Sequence, residues 1–497
     1  MIGTVSSLIH RLAELAPRLQ PELLHRVITV YGLEDCVDLV AEVTPQQLSH
    51  VFDLDLWHPP RAGLDEQFDA ARFGLWIEVL VEAGADVAAA KLAQMPIEQL
   101  IAGFAHHARV FDLATLSPYD RASGADVGAY RVVAMRDDAW DAIITVLSAL
   151  AQLHHQEFHR LMRALRSLSN SRPEIDGLHA LLDVGSQMML DLASERERRR
   201  EKHGFASPAD ARAFLQMSRT VRRGAMPPPN PIARAYFRAI EPAPVNGQGD
   251  APAADDIAEV IELLADAGVL AQQAPRGLLN AAHDEPPRHL PRLHAQMQSV
   301  FERDPVAYGE RNAELAYLAN MLIAGCSIQS RPFTAREASD AAVAVCNLGF
   351  EKSPHVPGDY LVAHDLIGIF QVGWTALYRD VAIHAAHALI DALSQVRSAD
   401  DEIQSALNML RVQMRKHVKA GTPWCAEPAL DVIAILDKPA WAALVALIAE
   451  CPVMHAAIAA HGSGALTIDA SAFEFISDTT QIASIDAFLD ALPAMLA

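Results

Sequence analysis

Apolar residues recur along most of the chain at intervals of three and four positions, with alanine frequent between them. Leu75, Val79 and Leu80 form one clear group. Such spacing puts the apolar side chains on one face of an α-helix, whereas a half-buried strand alternates with a period of two. The pattern predicts an all-α protein with many amphipathic helices, arranged as a superhelix or as helical repeats in two domains.

Helix starts and strand-like runs refine this pattern. Four segments combine a capping side chain with a nearby proline, or with a glutamate three positions on, as is typical of a first helical turn. They are Thr44 with Pro45, Ser207 with Pro208, Thr334 with Glu337, and Asp437 with Pro439. The best strand candidates are Tyr130–Met135 and Leu466–Ile468, so we expect at most one short hairpin or edge strand.

A chain of 497 residues is longer than the roughly 250 to 300 residues that one hydrophobic core supports. Residues 241–256 are rich in proline, glycine, alanine and aspartate, and Val245 is their one large apolar residue. Such a composition is typical of a linker. We therefore predict a helical domain over residues 1–240, a flexible linker over 241–256 and a second helical domain over 257–497.

Composition and charge narrow the choice of partner and location. Hydrophobic residues make up 51% of the chain and charged residues 21%, which is a globular composition. The formal net charge of −22 repels polyanions and anionic lipid, so nucleic acid is a disfavoured partner. No apolar run approaches the roughly 20 residues that span a bilayer, and no membrane contact is expected. The five cysteines are widely spaced and include no zinc-ligand pair, which indicates reduced thiols and a cytoplasmic location.

Motifs that would define a reaction are missing from the sequence. There is no glycine-rich phosphate loop, HExxH zinc helix or GxSxG nucleophile motif, so we assign no catalytic residue and no cofactor. One constellation could still carry chemistry, because Asp380, His384, His387 and Asp391 fall within roughly 60° on a helix that turns 100° per residue. These side chains could hold a divalent metal or exchange a proton. The alternative is a solvated polar stripe.

A basic segment stands out in this acidic chain. Glu195–Arg238 contains eleven lysine and arginine residues against four acidic ones, a net of about +7, so the rest of the chain carries about −29. Its first turns contain Arg196, Arg198, Arg199, Arg200 and Lys202. Arginine suits bidentate recognition of carboxylates, so these residues could contact an acidic protein partner. The alternatives are an acidic surface elsewhere in the same chain, or a solvated helix with pairs along its own length.

Several segments resemble an uncharacterised bacterial family that is known only as a domain of unknown function. They are FDLDLW (52–57), ERERRREKHGF (195–205), ELAYLANMLIAG (314–325), EASDAAVAVCNLGF (337–350), IFQVGW (369–374) and FEFI (473–476). The resemblance implies a cytoplasmic helical protein without an assigned activity. Residues 44–52 and 95–104 show a weaker similarity to the helix pairs in the superhelical N-terminal domain of magnesium transporters.

The same segments place four polar side chains in otherwise apolar helices. They are Glu314, Asn320, Glu337 and Asn347. Buried polar groups must find hydrogen-bond partners, because leaving them unpaired costs a few kcal/mol. We expect either hydrogen bonds between helices or a ligand pocket in the C-terminal domain.

The leading functional hypothesis is a scaffold or regulatory protein that binds another protein, or a second copy of itself, through a helical surface. Amphipathic helices without a catalytic signature are the reason for this hypothesis. The alternative is a metal-dependent or small-ligand-binding enzyme that uses the stripe from Asp380 to Asp391.

Overall fold

Helices account for 75% of the residues that the computed structural model describes, which confirms the all-α fold class. Whether the helices repeat along a superhelix stays a prediction. The described residues are 2–58, 66–114, 124–170, 193–201, 204–219, 221–222, 226–239, 290–328, 331–353, 355–420 and 473–496, with 444, 447, 448, 453–455 and 458. Among them, no helix combines the length and the apolar character needed to cross a membrane.

The chain divides into two compact units. The first unit contains residues 1–59, 66–200 and 242–274, and the second contains residues 60–65, 201–241 and 275–497. Residues 204–239 therefore pack within the second unit, although the sequence places them in the first domain. The division at residue 240 stays a prediction, and the expected linker over 241–256 lies outside the described residues.

Nine helices with named bounds build the described part of the first unit. They are α1 (Ile2–Leu15), α2 (Pro21–Tyr31), α3 (Val37–Glu42), α4 (Pro45–Asp55), α5 (Ala70–Ala83), α6 (Ala85–Leu92), α7 (Ile97–His107), α8 (Trp140–Leu153) and α9 (His155–Asn170). Residues 193–201 form a further helix, α10. Fully buried aromatic rings fill the centre of this unit. The centroid of the Phe73 ring lies 6.0 Å from that of Phe52 and 5.3 Å from that of Phe104, and both pairs pack edge to face.

Short strands complete the first unit. A three-stranded antiparallel sheet has the order β3 (Ala108–Asp112), β5 (Tyr130–Ala134) and β4 (Ala125–Val127), and β1 (Trp57–His58) pairs with β2 (Gln67–Phe68). The strand predicted from Tyr130 is thus confirmed, in a larger sheet than the expected hairpin. The second strand candidate, Leu466–Ile468, lies outside the described residues.

Ten further helices with named bounds build the described part of the second unit. They are α11 (Pro208–Met217), α12 (Pro231–Ala239), α13 (Pro291–Arg303), α14 (Pro305–Gly325), α15 (Ala335–Glu351), α16 (Tyr360–Ala363), α17 (Leu366–Ala376), α18 (His384–Val396), α19 (Asp401–Ala420) and α20 (Thr479–Leu496). A π-helical segment, Leu377–Ile383, joins α17 to α18 without a break. A two-stranded ribbon pairs β6 (Val453–His455) with β7 (Phe473–Phe475).

The predicted helix starts are confirmed where the structure describes them. Thr44 and Thr334 each form a reciprocal capping box with the residue three positions on, and the Ser207 hydroxyl accepts from the third backbone amide of α11. Asp437 lies outside the described residues. Local sequence chemistry therefore determines where these three helices begin.

Two glycines let α15 and α17 pack backbone against backbone. A Cβ added at Gly349 would lie 2.1 Å from the carbonyl oxygen of Ile369, and one at Gly373 would lie 2.1 Å from that of Val345. Neither position tolerates a side chain without a shift of the backbone. This contact fixes α17, one face of which lines the pocket described below.

Candidate functional site: charged clusters and a cationic pocket

Arginine side chains of α10 form ion pairs with carboxylates of the same unit. The Arg199 guanidinium donates two hydrogen bonds of 2.9 Å to the two carboxylate oxygens of Asp53. Gln99 also donates to Asp53, at 2.7 Å, and Arg200 donates to Glu66 at 2.7 Å. Bidentate pairs of this kind are among the strong charge-assisted hydrogen bonds.

Arg196 occupies the middle of this arrangement and is only 2% exposed. Its guanidinium donates to the backbone carbonyl of Asp53 and to the Glu66 carboxylate, and lies 4.9 Å from the centroid of the Trp57 ring. Burial, reinforced by the neighbouring Arg200, lowers the pKa of Arg196 to about 10, so the side chain stays charged at neutral pH. We call Asp53, Glu66, Arg196, Arg199 and Arg200 the arginine cluster.

The arginine cluster leaves little room for a ligand. The cavity beside Asp53 and Arg199 measures about 10 Å³, which is the space of a single water molecule. Arg196, Arg199 and Arg200, which could have bound a partner, therefore contact carboxylates of their own chain. This arrangement corresponds to the alternative of an acidic surface elsewhere in the same chain. Arg198 pairs with Glu195 at 2.7 Å and keeps 65% of its side chain exposed, while Lys202 lies outside the described residues.

A second buried carboxylate, which sequence reasoning missed, lies two residues further along α4. Asp55 accepts hydrogen bonds from Arg72 at 2.7 Å and Trp76 at 2.6 Å, and lies 3.1 Å from a ring nitrogen of His25. Although burial opposes it, this set of donors holds the pKa of Asp55 well below its usual range. In the sequence, the sole indication of this buried carboxylate is the pair of acidic residues at every second position of the FDLDLW segment.

The Asp/His stripe begins in the π-helical segment, where the 100° per residue of an α-helix no longer applies. Asp380 accepts from Lys352 Nζ at 3.1 Å, and a ring nitrogen of His384 lies 3.6 Å from Asp486. Among the described residues, no group of three or more histidine, cysteine or acidic side chains is placed to hold a metal ion.

The two remaining members of the stripe lie at the surface. His387 and Asp391 are exposed, and Asp391 accepts from Arg411 at 2.8 Å. Each acidic side chain of the stripe thus faces a different cation of the unit. Metal binding by these residues stays a prediction, and the contacts give it no support.

Two of the polar residues predicted to be buried, Asn347 and Asn320, link helices of the second unit to other segments of that unit. Asn347, which is fully buried, accepts from the backbone amides of Arg292 and Leu293 at the start of α13 and donates to the carbonyl of Ser477 at 2.9 Å. Asn320 donates to the carbonyl of Gly204 at 2.7 Å. Both side chains thus bond to the backbone of other segments, although the carbonyl partners Gly204 and Ser477 lie outside the helices.

The two glutamates differ in environment. Glu314 is buried, pairs with Arg311 at 2.9 Å and accepts from the first backbone amide of α17 at 2.8 Å. Burial raises the pKa of Glu314 to about 7. Glu337 instead caps α15 and accepts two hydrogen bonds from Arg331, which lower its pKa to about 2.

A larger cavity, of about 300 Å³, lies in the second unit. One wall is a single face of α17 and the π-helical segment, formed by residues at positions i, i+3, i+4, i+7 and i+8. These residues are Val372, Thr375, Ala376, Arg379 and Asp380. Lys352, just after α15, and the segment Val221–Arg222, which follows α11, complete the lining. We call this cavity the cationic pocket.

Two contacts hold residues 218 and 219, which precede the lining segment Val221–Arg222, against α17 and the π-helical segment. The Thr375 hydroxyl donates to the carbonyl of Ser218 at 2.5 Å, and the Arg219 guanidinium lies 4.9 Å from the centroid of the Tyr378 ring. The π-helical segment carries Tyr378 together with Arg379 and Asp380. Irregular π turns inside helices occur frequently at functional sites.

The charge of the lining is unbalanced. Among the described residues that line the cavity, three cationic side chains, Arg222, Lys352 and Arg379, face one carboxylate, Asp380. A ligand with negative charge would be attracted here, although the chain as a whole carries −22. Sequence spacing could not reveal this site, because its cations lie 27 to 157 residues apart along the chain.

The fold and the pocket define an all-α, two-unit protein with a cationic cavity in its second unit. Residues 10–174 match DUF6178, a family of unknown function. This match agrees with the expected resemblance to an uncharacterised family, and the similarity to magnesium transporters stays untested. No curated protein and no solved structure matches the chain. Apart from residues 60–65, the matched residues lie in the first unit, and the residues that line the cationic pocket are outside the match.

Proposed function

We propose that the second unit binds a small anionic ligand in the cationic pocket. The observation that carries this proposal is the cavity of about 300 Å³, whose described lining residues include three cationic side chains and one carboxylate. Its volume is at the lower end of small-molecule sites, so the ligand is a small metabolite rather than a macromolecular segment.

The lining favours binding over catalysis. Asp380, which is the carboxylate among the described lining residues that could act as a base, accepts a hydrogen bond from Lys352 at 3.1 Å. The Thr375 hydroxyl, which could otherwise act as a nucleophile, donates its proton to the carbonyl of Ser218. Both groups that could react are engaged in positioning neighbouring segments, and the remaining polar groups are cations suited to hold an anion.

Titration calorimetry at low ionic strength tests this proposal with sulfate, phosphate and citrate as probes. We expect at least one of these anions to bind the wild-type protein, and Arg379→Ala and Arg222→Ala each to weaken that binding about tenfold or more. Arg336→Ala is the matched control, because Arg336 is an exposed arginine of the same unit that does not line the pocket. Equal affinities for all four proteins would show that the pocket is not the binding site.

A scaffold role for another protein, or self-association, is the second candidate function. It is supported by Met409 and Val412, which are 61% and 66% exposed one turn apart on α19. The arginine cluster does not support it, because those arginines already contact Asp53 and Glu66.

Sedimentation of the purified protein tests the second candidate directly. We expect self-association that is lost in the double variant Met409→Lys, Val412→Lys and retained in Gln413→Lys, an exposed control on the same helix. A wild-type protein that is monomeric at all concentrations, and co-purifies with no protein that the double variant loses, would contradict the scaffold role.

A further inference from the structure

We propose that the ligand of the cationic pocket is a dianionic phosphomonoester, in preference to a carboxylate or a phosphodiester. This inference rests on the proposed function and names the class of ligand. It follows from three features of the lining: its net charge, the arrangement of its donors and the chemistry of its apolar wall.

The net charge of the lining matches a dianion. Arg222, Lys352 and Arg379 contribute three positive charges, and Asp380 removes one of them. A phosphomonoester carries about −1.5 to −2 at neutral pH, because its second pKa is about 6. A monocarboxylate or a phosphodiester carries only one negative charge, so these cations would attract it less strongly than a dianion.

The donors also suit a phosphoryl group. They come from three separate segments, since Arg222 follows α11, Lys352 follows α15 and Arg379 lies in the π-helical segment. Each guanidinium offers a planar fork of N–H donors, and the ammonium offers a point charge. A phosphoryl group presents three terminal oxygens that separate donors can share, whereas a single guanidinium fork already occupies both oxygens of a carboxylate.

Asp380 sets an upper limit on the charge of the ligand. Its carboxylate lies 3.1 Å from Lys352 Nζ, within the lining itself. The net charge of the four charged side chains in the described lining balances a dianion. A trianion would carry one further negative charge, which Asp380 would repel. Val221, Val372 and Ala376 form an apolar part of the wall, which has room for the carbon chain of an ester.

Calorimetry with three probes of different charge tests the ligand class. The probes are glycerol 3-phosphate, dimethyl phosphate and propionate, all at pH 7.5 and low ionic strength. We expect glycerol 3-phosphate to bind at least tenfold more tightly than the two monoanions. Similar affinities for the three probes would overturn the phosphomonoester inference and leave the proposed anion site standing. Binding by none of the three would also overturn the inference, and the anion site itself would fail only if sulfate, phosphate and citrate did not bind either.

The charge argument has its own pH test. Between pH 7.5 and pH 5.5 most of the glycerol 3-phosphate dianion takes up one proton and becomes a monoanion, because its second pKa is about 6. Its affinity for the pocket should therefore fall several-fold. Sulfate keeps both charges over this range, so any change in its affinity reports on the protein alone. It is therefore the control for the charged groups that face the cavity, which are Arg222, Lys352, Arg379 and Asp380. An affinity ratio of the two anions that does not change with pH would contradict recognition of the dianion.

The role of Asp380 is tested with Asp380→Asn and pyrophosphate in the absence of divalent metal. Removing the carboxylate should raise the affinity for this more highly charged anion several-fold relative to glycerol 3-phosphate. Arg336→Ala again serves as the control variant. An unchanged ratio in Asp380→Asn would show that the lining does not select by charge, and the phosphomonoester inference would then be wrong.

Discussion

The arginine cluster of the first unit and the cationic pocket of the second unit each contain three cationic side chains, but they differ in what faces them. In the cluster, Asp53, Glu66 and a backbone carbonyl take up the guanidinium donors, and the cavity is about 10 Å³. In the pocket, the described lining residues place one carboxylate opposite three cations around a cavity of about 300 Å³. A run of arginines along a sequence therefore does not mark a binding surface unless charge is left unbalanced beside open space.

This difference predicts opposite roles for similar residues. A buried charge in the cluster has a fixed partner, so removing that partner leaves an uncompensated charge and destabilises the fold. A cation at the rim of an open pocket contributes little to stability, because water can replace its partner. Substitutions in the two sites, and in the helix that carries the pocket, should therefore differ in their effect on stability.

The largest effect is expected for Gly373→Ala, which tests how firmly the pocket wall is held. The new methyl group would lie 2.1 Å from the carbonyl oxygen of Val345, so α15 and α17 must separate. Because the atoms nearest to the new methyl group are all backbone atoms, no side-chain rotation relieves the clash, and the free energy of unfolding should fall by about 4 kcal/mol. The measurement is the urea midpoint, followed by hydrogen exchange of amides in α17.

Gly309→Ala is the matched control for this substitution. A Cβ at Gly309 meets nothing within 4 Å, and the residue lies inside α14. Alanine there should stabilise the helix by about 0.5 to 1 kcal/mol, because glycine is the poorer helix former. If Gly373→Ala behaved like this control, the backbone contact between α15 and α17 would be wrong.

The second effect in size is expected for Asp53→Ala in the arginine cluster. This change removes the partner of Arg199 and an acceptor of Gln99, and should destabilise the first unit by about 3 kcal/mol. Hydrogen exchange of α4 amides during urea unfolding reports on this unit. Arg198→Ala, at an exposed position of α10, should change stability by less than about 0.5 kcal/mol. Equal effects would contradict a structural role for the cluster.

A smaller effect, of about 1 to 3 kcal/mol, concerns pH and Glu314. Its pKa is about 7 in the folded protein and about 4.3 in an unfolded chain. Between these pH values the folded state holds the proton and the unfolded state does not, so this group makes stability fall as pH rises from about 4.5 to about 7. Glu314→Gln should remove that slope from the unfolding free energy measured across this range.

Glu337 provides the control of opposite sign. Its pKa is lowered to about 2, so its contribution to stability is present above about pH 4.3 and is lost as pH falls toward 2. Glu337→Gln should therefore leave the profile between pH 4.5 and 7 unchanged in shape. A slope that persists in Glu314→Gln would show that another group causes it.

Local features of this fold could be predicted from the sequence because their chemistry acts over a few residues. Thr44, Ser207 and Thr334 begin helices as their side chains indicate, and β5 follows its alternating pattern. Asn347 was expected to find partners, since a buried amide between apolar helices has few alternatives. Its partners, however, lie 54 and 130 residues away, and spacing carries no signal for them.

The charged sites could not be predicted for the same reason. Arg199 meets Asp53 across 146 residues, and the pocket brings Arg222 to Lys352 and Arg379 only after α11, α15 and α17 have packed. The Asp/His stripe was projected on a regular α-helix, but Asp380 lies in a π-helical segment that changes the angle between side chains. Tertiary packing, which the linear pattern does not record, determines where these charges meet.

The smallest effect on stability, and the sharpest test of the comparison, is expected for Arg379→Ala. Arg379 is exposed and lines the open pocket, so its loss should change the free energy of unfolding by less than about 0.5 kcal/mol. Urea unfolding of wild type and variant measures this difference, and Asp53→Ala provides the contrasting value from the closed cluster. A destabilisation of Arg379→Ala as large as that of Asp53→Ala would mean that both sets of cations are structural. An unchanged stability together with lost anion binding would separate the two, because only a charge that the fold leaves unbalanced is available to a ligand.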